Sequence, residues 1–82
     1  MINVIFEDRY ENEKVIGIAA SQREATFLIM DFLKEHNYQS HYQRLWEDGN
    51  DIKIDVGSHS EFFILRSDKG EKLEVKEYIK KY

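Results

Sequence analysis

The stretch Asp55-Val56-Gly57-Ser58-His59-Ser60-Glu61-Phe62-Phe63 holds the densest chemistry in this 82-residue chain. It sets two carboxylates, two hydroxyls, an imidazole and a glycine between apolar runs. Polar clusters between strands sit where a scaffold presents side chains to solvent or to a partner. Asp55, His59 and Glu61, together with His41, carry atoms able to ligate a divalent ion. Their spacing matches no metal motif, and His36 belongs to a different element. Local turn hydrogen bonds and a solvated imidazole account for the same residues. Ser58 and Ser60 flank His59, but sequence neighbours point apart in an extended chain. A nucleophilic triad also needs an orienting acid and oxyanion donors. Paired-carboxylate hydrolysis needs two acids facing across a cleft, which a chain this short has little room to build. Gly57-Ser58 could form an anion-binding nest of backbone amides, without the helix start or lysine of a phosphate loop. The segment reads as a recognition loop with no catalytic residue, no metal ligand set and no cofactor. Ser58, His59 and Glu61 are its candidate binding residues.

A second set lies on Tyr38-Gln39-Ser40-His41-Tyr42-Gln43-Arg44-Leu45-Trp46, where large amphipathic side chains alternate. Tyr38, Ser40, Tyr42, Arg44 and Trp46 share one face of an extended chain; Gln39, His41, Gln43 and Leu45 share the other. Neither face is plainly apolar. Aromatic residues and Arg dominate binding hot spots, so Tyr42, Arg44 and Trp46 are candidate contacts. The alternative is a face buried beneath a helix, with Arg44 reaching out to solvent along its aliphatic stem. Stacking of these groups on bases is a further use. The net charge of −4 opposes it, because phosphate-driven binding needs clustered Lys and Arg. Residues 1–66 carry −5 and residues 67–82 carry +1.

The elements that position these residues can be read along the chain. Ile2–Phe6 and Lys14–Ala19 are apolar, β-branched runs joined by the acidic turn Glu7–Glu13, a hairpin pattern. Gly17 inside the second run marks a bulge or a close-packing position. Ser21-Gln22-Arg23-Glu24 is a capping box. Ala25, Leu28, Ile29, Phe32 and Leu33 follow at the spacing of one helical face, widened by Phe27 and Met30. Asn37 suits the left-handed position after a helix, so the spacing predicts a helix over 22–36. Glu47–Asp51 is a hairpin turn around Gly49. Ile52, Ile54 and Val56 alternate with Lys53 and Asp55 as in a half-buried strand. Phe62–Leu65 reads as a central strand buried on both sides. In the tail, Val75, Tyr78, Ile79 and Tyr82 keep helical spacing while Leu73 and Val75 alternate, and a short helix near 73–81 is the favoured reading. The expected fold is α+β, a single small domain over residues 1–82. Its order is β-β-α-β-β-β, with one helix on a mainly antiparallel sheet.

A chain of this length buries one core, worth on the order of 3–5 kcal/mol, and homo-oligomerisation would add to it. With no cysteine there is no disulfide framework and no thiolate chemistry. The amino-terminal run lacks the basic flank and long apolar stretch of a signal peptide. No apolar run reaches the ~20 residues of a membrane span. A soluble cytoplasmic protein is expected.

Val4–Lys14, Tyr42–Trp46 and Asp55–Phe63 resemble small uncharacterised proteins encoded by phages of Gram-positive bacteria, a resemblance covering residues 4–65. That group supplies no catalytic residues. The resemblance implies a protein that acts in the host cell by binding a host or phage protein, as anti-CRISPR and other anti-defence inhibitors do. The expected function is thus non-enzymatic binding and inhibition of a host protein such as a defence enzyme. A small-ligand module or nucleotide-signal sponge using Gly57–Glu61 and Arg44 is the alternative, and a metal-dependent enzyme comes third.

Overall fold

The computed structural model describes residues 1–38, 42–58, 60–75 and 79–81, the last three and Tyr42 as backbone. Among the described residues six strands form one sheet: β1 (Ile2–Glu7), β2 (Glu13–Ala19), β3 (Tyr42–Asp48), β4 (Asp51–Asp55), β5 (Phe62–Ser67) and β6 (Ile79–Lys81). Their order across the sheet is β2-β1-β5-β4-β3-β6, and every pair is antiparallel. One helix, α1 (Gln22–Glu35), lies on one face, over β2, β1 and β5.

Both ends of α1 are fixed by local chemistry. The Ser21 side chain accepts from the Glu24 N–H at 3.1 Å, satisfying one of the unpaired donors of the first turn. At the other end Asn37 takes a left-handed φ of 56°. This lets the Tyr38 N–H donate to the Leu33 carbonyl (2.9 Å) and the Asn37 N–H to that of Lys34 (3.2 Å), a Schellman motif. Ser21→Ala is expected to cost about 1 kcal/mol, read as a lower denaturant midpoint. An unchanged midpoint would mean that the cap contributes nothing.

Strand alternation then builds the core. Val4, Leu65, Phe63, Ile52 and Ile54 point to the helix side and are almost fully buried, with Ala25, Ile29 and Leu33 above them. Register pairs Val4 with Leu65 and Ile52 with Leu65, so the apolar residues form cross-strand rows. Gly17 serves both roles its position suggested. The β1–β2 register shifts between Val4 and Ile5, and a Cβ at Gly17 would lie 3.1 Å from Leu28, so α1 approaches β2 closely there.

The tail departs from its helical spacing. Ile79–Lys81 is a strand paired with β3, in register Tyr42↔Lys81 and Arg44↔Ile79. Residues 71–75 form no helix either. They run back over the helix side of the sheet, where the Leu73 N–H donates to the Asn50 carbonyl (2.9 Å) and the Gln22 amide to the Glu74 carbonyl (2.6 Å). Leu73 and Val75 pack against the core beside the helix. The helical period in the tail was therefore the weaker signal. Leu73 and Val75 are taken up by packing, and the backbone of residues 79–81 pairs with the edge of β3.

Candidate functional site

The face of the sheet opposite α1 carries no described helix. Register places Val15, Ile5, Ile64, Lys53 and Trp46 in one row across five strands. Glu13, Glu7 and Phe62 extend in a second row, and Asp55 and Arg44 stand opposite each other alongside it. Two ion pairs reach across intervening strands. Lys53 on β4 meets Glu7 on β1 at 3.3 Å, passing over β5. Arg66 on β5 meets Glu13 on β2 at 3.0 Å, passing over β1, while also binding Asp51 through Nε and Nη2 at 3.0–3.3 Å. Ile5 and Ile64 lie beneath these bridges and are only 3% and 6% exposed. The Arg66 guanidinium is held charged first by its hydrogen bonds to Glu13, then by those to Asp51. The Arg66–Glu13 pair is exposed, and such pairs stabilise by about 0–1 kcal/mol; the Lys53–Glu7 pair is half-buried. Their role here is to hold long side chains over an apolar strip.

Beside this lattice sits an aromatic and cationic patch. The Trp46 and Phe62 rings meet edge to face at 6.3 Å. Arg44 lies over Trp46 at 5.8 Å and Lys53 over Phe62 at 4.6 Å. Arg44 also faces Asp55 at 3.6 Å, with its own side chain 62% exposed. The structure therefore places Arg44 and Trp46 together on the uncovered face. Burial beneath the helix does not apply to Trp46; Leu45, paired with Ile54, takes the helix side. Tyr42 is on β3, two residues before Arg44, and its side chain is outside the described residues.

The loop residues go elsewhere. Asp55 Oδ1 accepts from the Gly57 N–H (2.8 Å), and Ser58 Oγ accepts from the N–H groups of Ser60 (3.3 Å) and Glu61 (3.1 Å). These two side-chain turns set the loop's path. They direct Ser58 and Glu61 to the helix side, where a cavity of about 430 Å³ opens at the carboxyl end of α1. Phe6, Phe32 and Phe63 form its aromatic body, with ring centroids 5.2–5.6 Å apart. His36 stacks on Phe32 at 4.1 Å, and its Nδ1 lies 2.8 Å from the Phe32 carbonyl. Tyr38, placed by the Schellman motif, and Lys14 complete the rim. Ser58 and Glu61 are thus separated from Arg44 and Trp46 by the thickness of the sheet. His59 and His41 lie outside the described residues. Among the described residues, no group of three or more His, Asp or Glu could hold a metal ion, and no helix is long and apolar enough to cross a membrane.

Several residues of both sites escaped the sequence reading. Glu7 and Glu13 looked like members of an exposed acidic turn, yet Glu7 closes β1, Glu13 opens β2, and each anchors a cross-strand bridge. The turn between them is organised by Asp8. Its carboxylate accepts from the N–H groups of Tyr10 (2.8 Å) and Asn12 (2.9 Å) and from the Asn12 side chain (3.3 Å). The Asn12 N–H, the leading cause, holds the Asp8 carboxyl below the usual aspartate value. A depressed folded pKa means that this stabilisation is present at neutral pH and lost as pH falls through the folded value. A carboxyl NMR titration should therefore give Asp8 a midpoint below that of an ordinary aspartate; an ordinary midpoint would show that these bonds do not persist in solution. Gln43 is fully buried on the helix side. Its amide donates to the Thr26 carbonyl at 3.1 Å, and its Oε1 has no partner among the described residues.

Comparison with protein-family models, with curated proteins and with solved structures found no match.

Proposed function

We propose that this chain is a non-enzymatic binding protein that engages a protein partner through the uncovered face of its sheet. The observation that carries the reading is the Arg44–Trp46–Phe62–Lys53 cluster on that face. Trp and Arg are the side chains most enriched at interface hot spots. Here both stand on one strand, β3, with Lys53 on β4 and Phe62 on β5 beside them, so the sheet sets their spacing before binding. The ion-pair lattice supplies a polar rim of mixed sign, suited to fixing register and excluding wrong partners. With no concentration of Lys and Arg, the face favours protein over nucleic acid.

The resemblance of residues 4–65 to small phage-encoded proteins supports a partner in a bacterial host, met in its cytoplasm. Inhibition of an anti-phage defence enzyme is the sharpest form of that reading. The test is affinity capture from a lysate of a Gram-positive host, with and without nuclease. A stoichiometric protein that survives nuclease treatment is the expected result. Loss of every retained protein on nuclease treatment would instead make nucleic acid the ligand.

A further inference from the structure

The cavity at the carboxyl end of α1 plays no part in the sheet-face reading, and its rim specifies a ligand of its own. Its floor is a cross-strand row, with Lys14 on β2 paired to Phe6 on β1 and Phe6 paired to Phe63 on β5. Phe32 and the stacked His36 form the opposite wall, and Ser58 and Glu61 line its outer side. Volume near 430 Å³ falls within the ~300–1,000 Å³ of small-molecule sites. Lys14 and Glu61 make no ion pair among the described residues, with each other or with another group. They sit on opposite rims. Glu61 leads into β5, Lys14 is on β2, and β1 runs between them, two strand spacings of about 4.8 Å each.

A ligand using both rims must carry an anion at one end and hydrogen-bond donors at the other, with a flat apolar body between. An α-amino acid places both charges on one carbon and cannot span the rims. We propose that this cavity binds a purine nucleoside monophosphate of the guanine type. The base lies against the partly exposed Phe6 and Phe32 rings, with buried Phe63 packed behind them; aromatic faces suit any base. The Glu61 carboxylate accepts from the ring N–H and the exocyclic amine, a charge-assisted pair that adenine cannot offer because its corresponding ring nitrogen is an acceptor. Lys14 provides the point charge for the phosphate. Ser58 Oγ already accepts two backbone N–H groups and keeps its own proton to donate toward the sugar.

The test is an NMR titration of the ¹⁵N-labelled protein with GMP, AMP, guanosine and tryptophan, following the amides of Phe32, Ser58 and Glu61. GMP should saturate these shifts, with AMP and guanosine each at least about tenfold weaker and tryptophan not saturating. Glu61→Gln, with its melting temperature unchanged, should abolish the preference for GMP over AMP. Lys14→Ala should abolish the preference for GMP over guanosine. If either variant fails to fold, the wild-type ranking of the four ligands decides alone. Absence of saturation by GMP, equal binding of GMP and AMP, preference for tryptophan, or shifts confined to Arg44 and Trp46 would each overturn the proposal.

Discussion

Arg44→Ala and Trp46→Ala are each expected to weaken partner binding at least tenfold, roughly 1.4 kcal/mol, while leaving the fold intact. Truncating a central Trp or Arg at an interface commonly costs about 2 kcal/mol or more. Arg44 is well exposed, and the more buried Asp55 keeps its hydrogen bond from the Gly57 N–H when Arg44 is removed, so the loss of this 3.6 Å pair should change stability by about 1 kcal/mol. Trp46 is half-buried against Phe62, and removing it forfeits an aromatic pair worth about 0.5–1.5 kcal/mol beyond its area. Melting temperatures measured first separate that loss from a binding loss. Tyr42→Ala, two residues along the same strand, should share the sign of the effect. Lys34→Ala, exposed in the last turn of the helix, should bind as the wild type does. Normal binding by folded Arg44→Ala and Trp46→Ala would move attention to the Asp8–Asn12 turn.

The largest effect on stability is expected at the next residue along β5 from the binding face. Phe63 is 1% exposed and touches Phe6 and Phe32. Phe→Ala in a core costs about 3–5 kcal/mol, as much as a core of this size supplies. Phe63→Ala should therefore lose its cooperative unfolding transition near room temperature. Phe62→Ala, one position away and on the opposite face, should fold and unfold cooperatively with a loss of about 1–2 kcal/mol. Similar midpoints for the two variants would contradict the assignment of faces on β5.

This pair shows what was legible in the sequence. Alternation over Ile52, Ile54 and Val56, the cap at Ser21 and the left-handed residue at Asn37 are local signals, and local interactions realise them. The order of elements followed from these. The split of the candidate site was not legible, because strand pairing decides it. Trp46 faces away from the helix only because Leu45 pairs with Ile54 in the core row. Glu7 and Glu13 become parts of a charged lattice only when β5 pairs with β1 and β4 with β5. Tyr38 appeared to belong with Tyr42 on one strand, but the Schellman motif that ends the helix turns it into the cavity. In the tail, helical spacing at Val75, Tyr78 and Ile79 competed with a free strand edge on β3 that no local pattern advertises.

Trp46 is the only tryptophan in the chain, so one probe reads the proposed interface. The protein labelled with 5-fluorotryptophan should give a single ¹⁹F resonance, broadened by a soluble paramagnetic agent in the free state. On adding the captured partner, that resonance should shift and lose its sensitivity to the agent. An unshifted resonance, still open to the agent in a complex formed at full stoichiometry, would contradict the assignment of this sheet face as the binding surface.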